Sequence, residues 1–445
     1  MGRAHGFTAF HAPVTLTSLK HRGVTNPANP TLQTSLLNQP PTLHEQKKEK
    51  LFLLALAGIQ FTHILDFMIM MPLGPELIRV LRIDTHQFGL LLSSYTFTAA
   101  ASGLLAATYV DRFDRRKLML ALYVLFILAT FFCAIAPNYL TLLFARALAG
   151  AFGGVLGAMV QTMIADVVPF ERRGQAMGTV MAAFSVSTVA GVPLGLLLAE
   201  HIPQLGWRAP FLFIVLISCL ILALGYRYLP ALTAHLARER TGNVFQQIYA
   251  VAKEPEHLKA YFFVGLLMMN FSVIPYIALY YTSNVGMTAS FITLIYLVGG
   301  AATLLTSRII GKLADRHGKL PTFRWIAVSS FVPILVTTHL VPAPWWLVLI
   351  NSTVFFILVS GRMIPGMAMV TAVAPMQVRG TFMSLGSSVQ MLGSGLASLV
   401  AGLIITRTPA GLIEHYNVVG YFAVACGLVA LWMAGHLKVS QAASA

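Results

Sequence analysis

The sequence predicts an all-α membrane protein with twelve transmembrane helices in two pseudo-symmetric six-helix bundles. The first observation behind this prediction is composition: 57% of the 445 residues are hydrophobic and only 10% are charged, which is too apolar for an ordinary soluble protein. The second is a series of apolar segments of about 20 residues, the length that a helix needs to span a bilayer. The third is a repeat that relates the two halves of the chain.

Twelve segments are apolar and long enough to cross a hydrocarbon core about 30 Å thick. An even number of crossings places the two ends of this series on the same side of the membrane. The segments lie near residues 51–74, 88–110, 118–137, 140–164, 175–199, 209–229, 260–282, 290–311, 322–341, 345–369, 381–405 and 417–437.

Basic residues in the connections predict the orientation. Connections after even-numbered segments hold Arg112, Arg115, Arg116, Lys117, Arg172, Arg173, Arg238, Arg240, Lys253, Lys312, Arg316, Lys319 and Arg379. Connections after odd-numbered segments hold only Arg79, Arg82, Arg208 and Arg407. By the positive-inside bias, both termini are expected in the cytoplasm. The net charge of +15 is thereby explained by topology, because the basic residues form short scattered clusters and no nucleic-acid patch.

Short motifs repeat between the halves. The connection after the fourth segment reads PFERRG at 169–174 and the one after the tenth reads PMQVRG at 375–380, an offset of 206 residues; VDR at 110–112 likewise has a partner in ADR at 314–316. Repeated halves around a site near the membrane midplane are typical of secondary transporters. The predicted units are a disordered cytoplasmic tail, a six-helix bundle, a central cytoplasmic loop, a second six-helix bundle and a short cytoplasmic tail, at 1–46, 47–229, 230–259, 260–438 and 439–445.

Asp66 is the only carboxylate in the interior of a predicted helix, within the stretch ILDFMIMMP at 64–72. An acid in an apolar span is costly and indicates a functional site by default. His63 lies one turn away on the same face, within reach of a hydrogen bond. A proton carrier whose protonation depends on the side to which a cavity opens is one interpretation. The other is an acid kept neutral by hydrogen bonding that packs the bundle.

Three further motifs contain charged or small residues that also indicate a function. The connection after the second segment, ATYVDRFDRRK at 107–117, and its counterpart GKLADRHGK at 311–319 share an Asp-Arg pair followed by basic residues. Within an apolar span, RALAGAFGG at 146–154 begins with Arg146, which is expected to face a cavity or a partner acid or to extend toward the outer surface. The fifth segment, GTVMAAFSVSTVAGVPLG at 178–195, is rich in small residues that allow close helix contact.

These motifs resemble those of the major facilitator superfamily, and within it the twelve-helix drug:proton antiporters and sugar-efflux permeases, over about residues 50–438. The loop motif of that family reads G-x-x-x-D-R-x-G-R-R/K; the first copy here has Ala107 and Asp114 in place of its glycines. The resemblance implies that the charged residues of the loop motifs control gating at the cytoplasmic ends of the helices. There an acid pairs with arginines or with a helix N-terminus, and we call this contact a latch. The alternative is that these charges only hold the topology. The gating candidates are Asp111, Arg112, Arg115, Asp315 and Arg316, together with Gly191, Pro193 and Gly195 of the fifth segment.

Three polar residues of the second half are candidates for solute binding. Arg362 is the only basic residue inside the last six segments, and it is expected either to bind an anionic or polyol solute or to pair with backbone and headgroups. Asn270 and Tyr276 lie deep in the seventh segment and supply an amide and an amphipathic ring, the kind of lining that binds a partly apolar ligand.

The sequence thus predicts a secondary transporter that exports a small organic solute in exchange for protons, with Asp66, His63 and Arg146 in proton coupling. The expected partners are the solute, protons and the lipid bilayer of a bacterial inner membrane, without nucleic acid, and the expected state is a monomer. An uncoupled facilitator and a non-transporting sensor or receptor on the same fold are the alternatives. No enzyme, cofactor or metal is expected, because neither a nucleophile motif nor a Cys/His ligand spacing occurs.

Overall fold

A computed structural model describes residues 43–233, 244–375 and 378–438. In these ranges twelve helices are long and apolar enough to cross a membrane, which confirms the predicted fold class. We label them TM1 to TM12 in chain order. Nine are continuous: TM1 to TM4, TM6, TM8, TM9, TM11 and TM12 contain the helices Leu43–Ile69, Thr85–Tyr109, Arg115–Ile135, Tyr139–Val167, Arg208–Tyr228, Ala289–His317, Lys319–Thr338, Arg379–Ile404 and Tyr416–Ala434.

TM5, TM7 and TM10 are interrupted near their middle. Pro193 follows the interruption in TM5 and Pro275 lies inside the one in TM7, and proline removes a helix hydrogen bond. TM5 consists of α-helix Phe170–Val186, π-helix Ser187–Gly191 and α-helix Val192–His201. TM7 consists of Pro255–Met269, the 3₁₀ segment Asn270–Tyr276 and Ile277–Ser283. TM10 breaks at Arg362, between Trp345–Gly361 and Met363–Thr371.

The connections contain short elements. Between TM11 and TM12, strands β1 (Thr406–Arg407) and β2 (Ile413–Glu414) pair antiparallel. The helix Val244–Lys253 lies in the predicted central loop, and TM7 begins at Pro255 instead of residue 260. The helix of TM1 begins at Leu43, inside the predicted tail. The rest of that tail and the C-terminal tail 439–445 lie outside the described residues.

The two ends of the bundle differ in charge. We call the end that carries the connections after even-numbered spans the basic face, because it holds most of the basic residues, and the other end the opposite face. TM1, TM3, TM5 and the other odd-numbered spans begin at the basic face.

Three hydrophobic cores are arranged so that the two halves share one of them. The shared core lies toward the opposite face and includes Leu65 and Phe88 of the first half and Tyr276 and Phe355 of the second. The other two cores lie toward the basic face, and each is built from one half alone. Apolar burial therefore joins the halves at the opposite face only.

Glu76 ties the connection after TM1 to the start of TM6. It lies in the short helix Gly74–Leu81, and its Oε1 accepts a hydrogen bond of 2.9 Å from the backbone N–H of Trp207. Gly206, at φ +49°, brings the backbone close, since a Cβ there would lie 2.5 Å from the same oxygen. Partial burial raises the pKa of Glu76 above its ordinary value, while the Trp207 hydrogen bond and two nearby arginines oppose the shift.

We expect Glu76 to stabilise the protein more at low pH than at neutral pH. A carboxyl whose pKa is raised in the folded state contributes stability below its unfolded pKa of about 4.5, and this contribution is lost as pH rises through the folded pKa. Thermal unfolding in detergent, measured from pH 4 to pH 7, should therefore show the wild-type midpoint falling relative to that of Glu76→Gln, whose amide still accepts from Trp207. A constant difference between the two proteins would contradict this.

Candidate functional site

Asp66 lies in the last turn of the TM1 helix, which ends at Ile69. Its side chain is fully buried, with 0% exposure. The carboxylate therefore lies near the opposite end of TM1, enclosed by helices of the first half, where an unpaired charge would be costly.

Arg146 of TM4 is the partner of Asp66. Its Nη1 lies 2.7 Å from Oδ2 of Asp66 and also donates to the Asp66 backbone carbonyl at 3.2 Å. The guanidinium is fully buried and its Cζ lies 4.5 Å from the centroid of the Tyr95 ring, an arrangement that stabilises a cation. Arg146 lies about two turns into TM4, about 10 Å from the start of that helix at Tyr139. From the sequence, Arg146 is expected to face a cavity or a partner acid or to extend toward the outer surface, and the structure shows the pairing with an acid.

The Asp66–Arg146 pair uses only part of its hydrogen-bonding capacity. Asp66 Oδ1 and Arg146 Nε and Nη2 have no hydrogen-bond partner among the described residues. Such orphaned atoms in a low-dielectric site make the pair sensitive to any change in its protonation or surroundings.

Glycines after Arg146 bring TM4 against TM2 and thereby place Tyr95. A Cβ on Gly150 would collide with the backbone carbonyl of Tyr95, and a Cβ on Gly154 with that of Ala99. A Cβ on Gly153 would lie 2.6 Å from the Tyr95 hydroxyl. Sequence reasoning missed Tyr95, although its place in the polar run SSYTFT of TM2 distinguishes it from the surrounding apolar residues.

His63 does not form the predicted hydrogen bond with Asp66. Its Nε2 is buried without a partner in the described chain and lies 3.5 Å from where a Cβ on Gly157 would be. Side chains of an α-helix lean toward its N-terminus, so the imidazole of His63 extends toward TM4 on the basic side, away from Asp66. The backbone of His63 is contacted instead, by the Tyr95 hydroxyl at 3.4 Å.

Arg362 lies inside the second half at the break in TM10. It is 1% exposed, donates to Ser330 of TM9 at 3.2 Å and stacks at 5.4 Å on Phe271 of TM7. No carboxylate pairs with it among the described residues, and its Nε and Nη2 have no partner there. Its guanidinium is therefore the less compensated of the two buried cations.

Asn270 and Tyr276 lie deep in TM7, and each donates a hydrogen bond to backbone, while Oδ1 of Asn270 has no partner among the described residues. The Asn270 amide donates to the carbonyl of Ala423 in TM12 at 2.7 Å, which turns this side chain away from TM1 and TM4. The Tyr276 hydroxyl donates to the carbonyls of Thr85 in TM2 at 2.9 Å and Ser398 in TM11 at 3.4 Å. A role of these two side chains in solute binding stays a prediction.

These contacts of Tyr276 belong to a seal between the halves at the opposite face. The Thr85 hydroxyl also donates to the carbonyl of Ile405, at 2.6 Å. On the other side of the bundle, the hydroxyl of Ser290 in TM8 donates to Glu200 in TM5. A Cβ on Gly300 would lie 3.2 Å from TM5 backbone.

Among the described residues, TM5 and TM8 lack a matching seal at the basic face. A Cβ added at any of three glycines there would meet no atom within 4 Å, namely Gly174, Gly178 and Gly311. TM2 and TM11 stay packed further inward, where a Cβ on Gly103 would lie 3.5 Å from the Ser388 hydroxyl. The molecule is therefore closed at the opposite face and open at the basic face between TM5 and TM8.

The predicted latch residues of the first half lie at the connection between TM2 and TM3. Arg115 forms an ion pair of 2.7 Å with Asp166 at the basic end of TM4, so it ties two helices of the same half. Arg112 is exposed. The side chain of Asp111 lies outside the described part of the chain.

In the second half, Asp315 and Arg316 are exposed at the end of TM8 and have no ion pair among the described residues. This agrees with the open basic face. In TM5, Gly191 and Gly195 lie against TM1, since a Cβ on them would lie 2.9 Å from Leu65 and 2.7 Å from Ile69.

A family model described as the Major Facilitator Superfamily matches residues 56–262 and 260–442, which is most of the chain. This protein belongs to the Major Facilitator Superfamily. The predicted family is thereby confirmed, and so is the expectation that the protein is a transporter and not an enzyme, because the superfamily consists of multi-pass membrane transporters of small molecules.

Individual relatives agree with this assignment. The uncharacterised MFS-type transporter YceJ of Bacillus subtilis (strain 168) is 24% identical over 375 residues, covering 82% of this chain and 91% of its own. Among solved structures, the D-xylose–proton symporter aligns with a TM-score of 0.70 and 17% identity, over 88% of this chain and 98% of its own. A bacterial homologue of the human lysosomal transporter Spinster, in an inward-facing and unoccupied conformation, aligns with a TM-score of 0.66 and 15% identity, over 88% and 99%. At these identities the structural likeness concerns the fold alone.

We expect Gly150→Ala to destabilise the protein by about 1–3 kcal/mol, because the new methyl group collides with rigid backbone and must push TM4 from TM2. Gly178→Ala is the matched control, since it adds the same methyl group in a helix where it meets nothing. Thermal unfolding in detergent measures both. Equal midpoints for the two variants would show that TM2 and TM4 are not held at this distance.

We expect Arg146→Met to destabilise the protein by about 3–5 kcal/mol, because it leaves the Asp66 carboxylate buried without a partner. The double variant Asp66→Asn/Arg146→Met should recover a large part of this loss, since no buried charge remains. Denaturation of the wild type, both single variants and the double variant gives the coupling energy. Strictly additive losses would show that the two side chains do not interact.

Proposed function

We propose that this transporter couples protons to the movement of a small organic solute, as a monomer in a bacterial inner membrane, by alternating access. The observation that supports this most is the fully buried pair of Asp66 and Arg146. Among the described residues, Asp66 is the only carboxylate that is buried, and it lies in the last turn of TM1, near the closed face.

Protonation of Asp66 would destabilise the conformation that is closed at the opposite face. The neutral acid no longer compensates the guanidinium of Arg146, and breaking one side of a buried pair costs several kcal/mol. Opening the opposite face would admit water to Arg146 and relieve this cost. A proton taken up at one face would in this way favour the conformation that faces the other side.

We propose that the basic face is cytoplasmic, because positively charged connections are retained on that side. The conformation described above is then open to the cytoplasm. Export in exchange for protons is our proposal for the direction, which is supported by the resemblance of the TM5 motif to that of antiporters. Asp111 and Asp315 are proposed to form their latches in the other conformation, when the ends of TM2 and TM8 approach the opposite half.

For the second half we propose that the solute is bound near Arg362, whose two unpartnered nitrogen atoms favour a group that accepts hydrogen bonds. Asn270 lies on the same interrupted TM7 as Phe271, which covers this guanidinium. Tyr276 is better explained as part of the seal, because its hydroxyl joins TM7 to TM2 and TM11. Opening of that seal would release the hydroxyl to the cavity.

We expect Asp66→Asn to abolish proton movement driven by solute, because the amide keeps the shape of the acid but does not titrate near neutral pH. Solute exchange without a gradient should persist, since it needs no net proton transfer. The measurement uses proteoliposomes containing a pH-sensitive dye, with solutes chosen by comparing the toxicity of compounds to cells that contain or lack the protein.

Asp84→Asn is the matched control, because Asp84 caps TM2 at the surface and asparagine caps a helix equally well. Its proton movement should equal that of the wild type. Undiminished coupling in Asp66→Asn would show that the carboxylate only packs the bundle, and solute exchange without proton movement in the wild type would identify an uncoupled facilitator.

A further inference from the structure

TM1 and TM5 are in contact on both sides of the TM5 interruption. Near the opposite face the Ser187 hydroxyl donates to the carbonyl of Phe61 at 3.0 Å and Gly191 faces Leu65, and at the basic face Arg172 pairs with Glu49. Toward the basic face they leave a cleft of about 870 Å³ between them. We call this space the TM1–TM5 cleft. It is distinct from the Asp66–Arg146 pair, which lies at the other end of TM1.

Polarity is unevenly distributed along the cleft. Its mouth at the basic face is lined by charged and amide side chains, and its walls are apolar apart from one threonine, whose hydroxyl is engaged with the backbone of its own helix. The mouth consists of Glu49, Lys50, Arg172 and Gln175. The walls consist of Leu53, Leu54, Ala57, Gly58, Phe61, Ala176, Thr179, Ala182, Ala183 and Val186.

The dimensions match one leaflet of a bilayer. From Lys50 to Phe61 the TM1 helix rises about 16 Å, and this is about half of a hydrocarbon core of about 30 Å. The volume lies in the range of pockets that bind small ligands. An apolar cleft at this depth is surrounded by acyl chains, which are far more concentrated there than any dissolved compound.

The charge at the mouth is positive. Arg172 forms two parallel hydrogen bonds of 3.0 Å with Glu49, so these two charges compensate one another, whereas Lys50 has no ion pair among the described residues. Of the charged side chains that line the mouth, Lys50 and Arg172 are basic and Glu49 is acidic. Basic clusters at a membrane surface attract anionic lipid headgroups.

We propose that the TM1–TM5 cleft is a binding site for one anionic phospholipid of the leaflet at the basic face. One acyl chain fills the apolar walls as far as Phe61, and the phosphate headgroup lies at Lys50 and the exposed side of Arg172. The lipid thereby covers the apolar surface that TM1 and TM5 leave exposed in the cleft. This site does not depend on the identity of the transported solute.

The test is native mass spectrometry of the full-length protein in detergent, with equal amounts of phosphatidylglycerol and phosphatidylcholine that carry the same acyl chains. The wild type should retain one phosphatidylglycerol in preference to phosphatidylcholine. Lys50→Gln should lower this preference about five-fold, the factor contributed by one basic residue near a membrane surface. Its control is Lys319→Gln, which removes an exposed charge at the basic end of TM9 and should change nothing.

A second variant tests the apolar part of the cleft. Ala182→Phe, at an exposed position on the cleft wall, should prevent retention of both lipids, whereas Ala121→Phe, at an exposed position of TM3, should leave retention unchanged. Equal retention of the two lipids by the wild type would overturn the proposal. Lipid retention by Lys50→Gln and Ala182→Phe equal to that of their controls would overturn it as well.

Discussion

The ion pair between Asp66 and Arg146 is the constraint on which the arrangement of the first half depends. A guanidinium enclosed by apolar helices must be paired, and this fixes the register of TM4 against TM1. TM2 must then come close enough for Tyr95 to cover the cation, and the glycines after Arg146 allow that approach. One electrostatic requirement therefore explains why small residues follow the arginine at intervals of three and four positions, and why replacing any one of these parts affects the others.

The two halves repeat the fold without repeating this pair. At the offset of 206 residues, the positions of Asp66 and Arg146 are occupied by Ser272 and Ser352, both buried and uncharged. The second half instead contains Arg362, which has no acidic partner among the described residues. The same helices thus enclose a compensated cation in one half and an uncompensated one in the other. This asymmetry fits a division of labour in which the first half responds to protons and the second to the solute.

The helices, the two halves and the charged interior residues could be predicted from the sequence, because hydropathy and loop charge are local properties. The partner of Asp66 could only be narrowed to Arg146 or His63, since spacing along one helix shows which residues share a face but not where a ring points. Asn270 and Tyr276 were placed at the right depth, yet their contacts with Ala423, Thr85 and Ser398 depend on how TM7 twists through its 3₁₀ segment. The TM1–TM5 cleft arises from the angle between two helices, which no single segment encodes.

The distribution of side chains indicates which contacts can break during transport. Within each half, large aromatic residues such as Phe126 and Phe263 are fully buried, and separating them would expose much apolar surface. Across the seal, glycines meet backbone or hydroxyl groups, as Gly89 and Gly402 do, and the hydrogen bonds run from hydroxyls to carbonyls that water can also satisfy. Parting the seal also separates Phe88 from Tyr276, but it leaves the separate core of each half intact. The halves should accordingly move as rigid bodies, with bending confined to the interrupted helices TM5, TM7 and TM10.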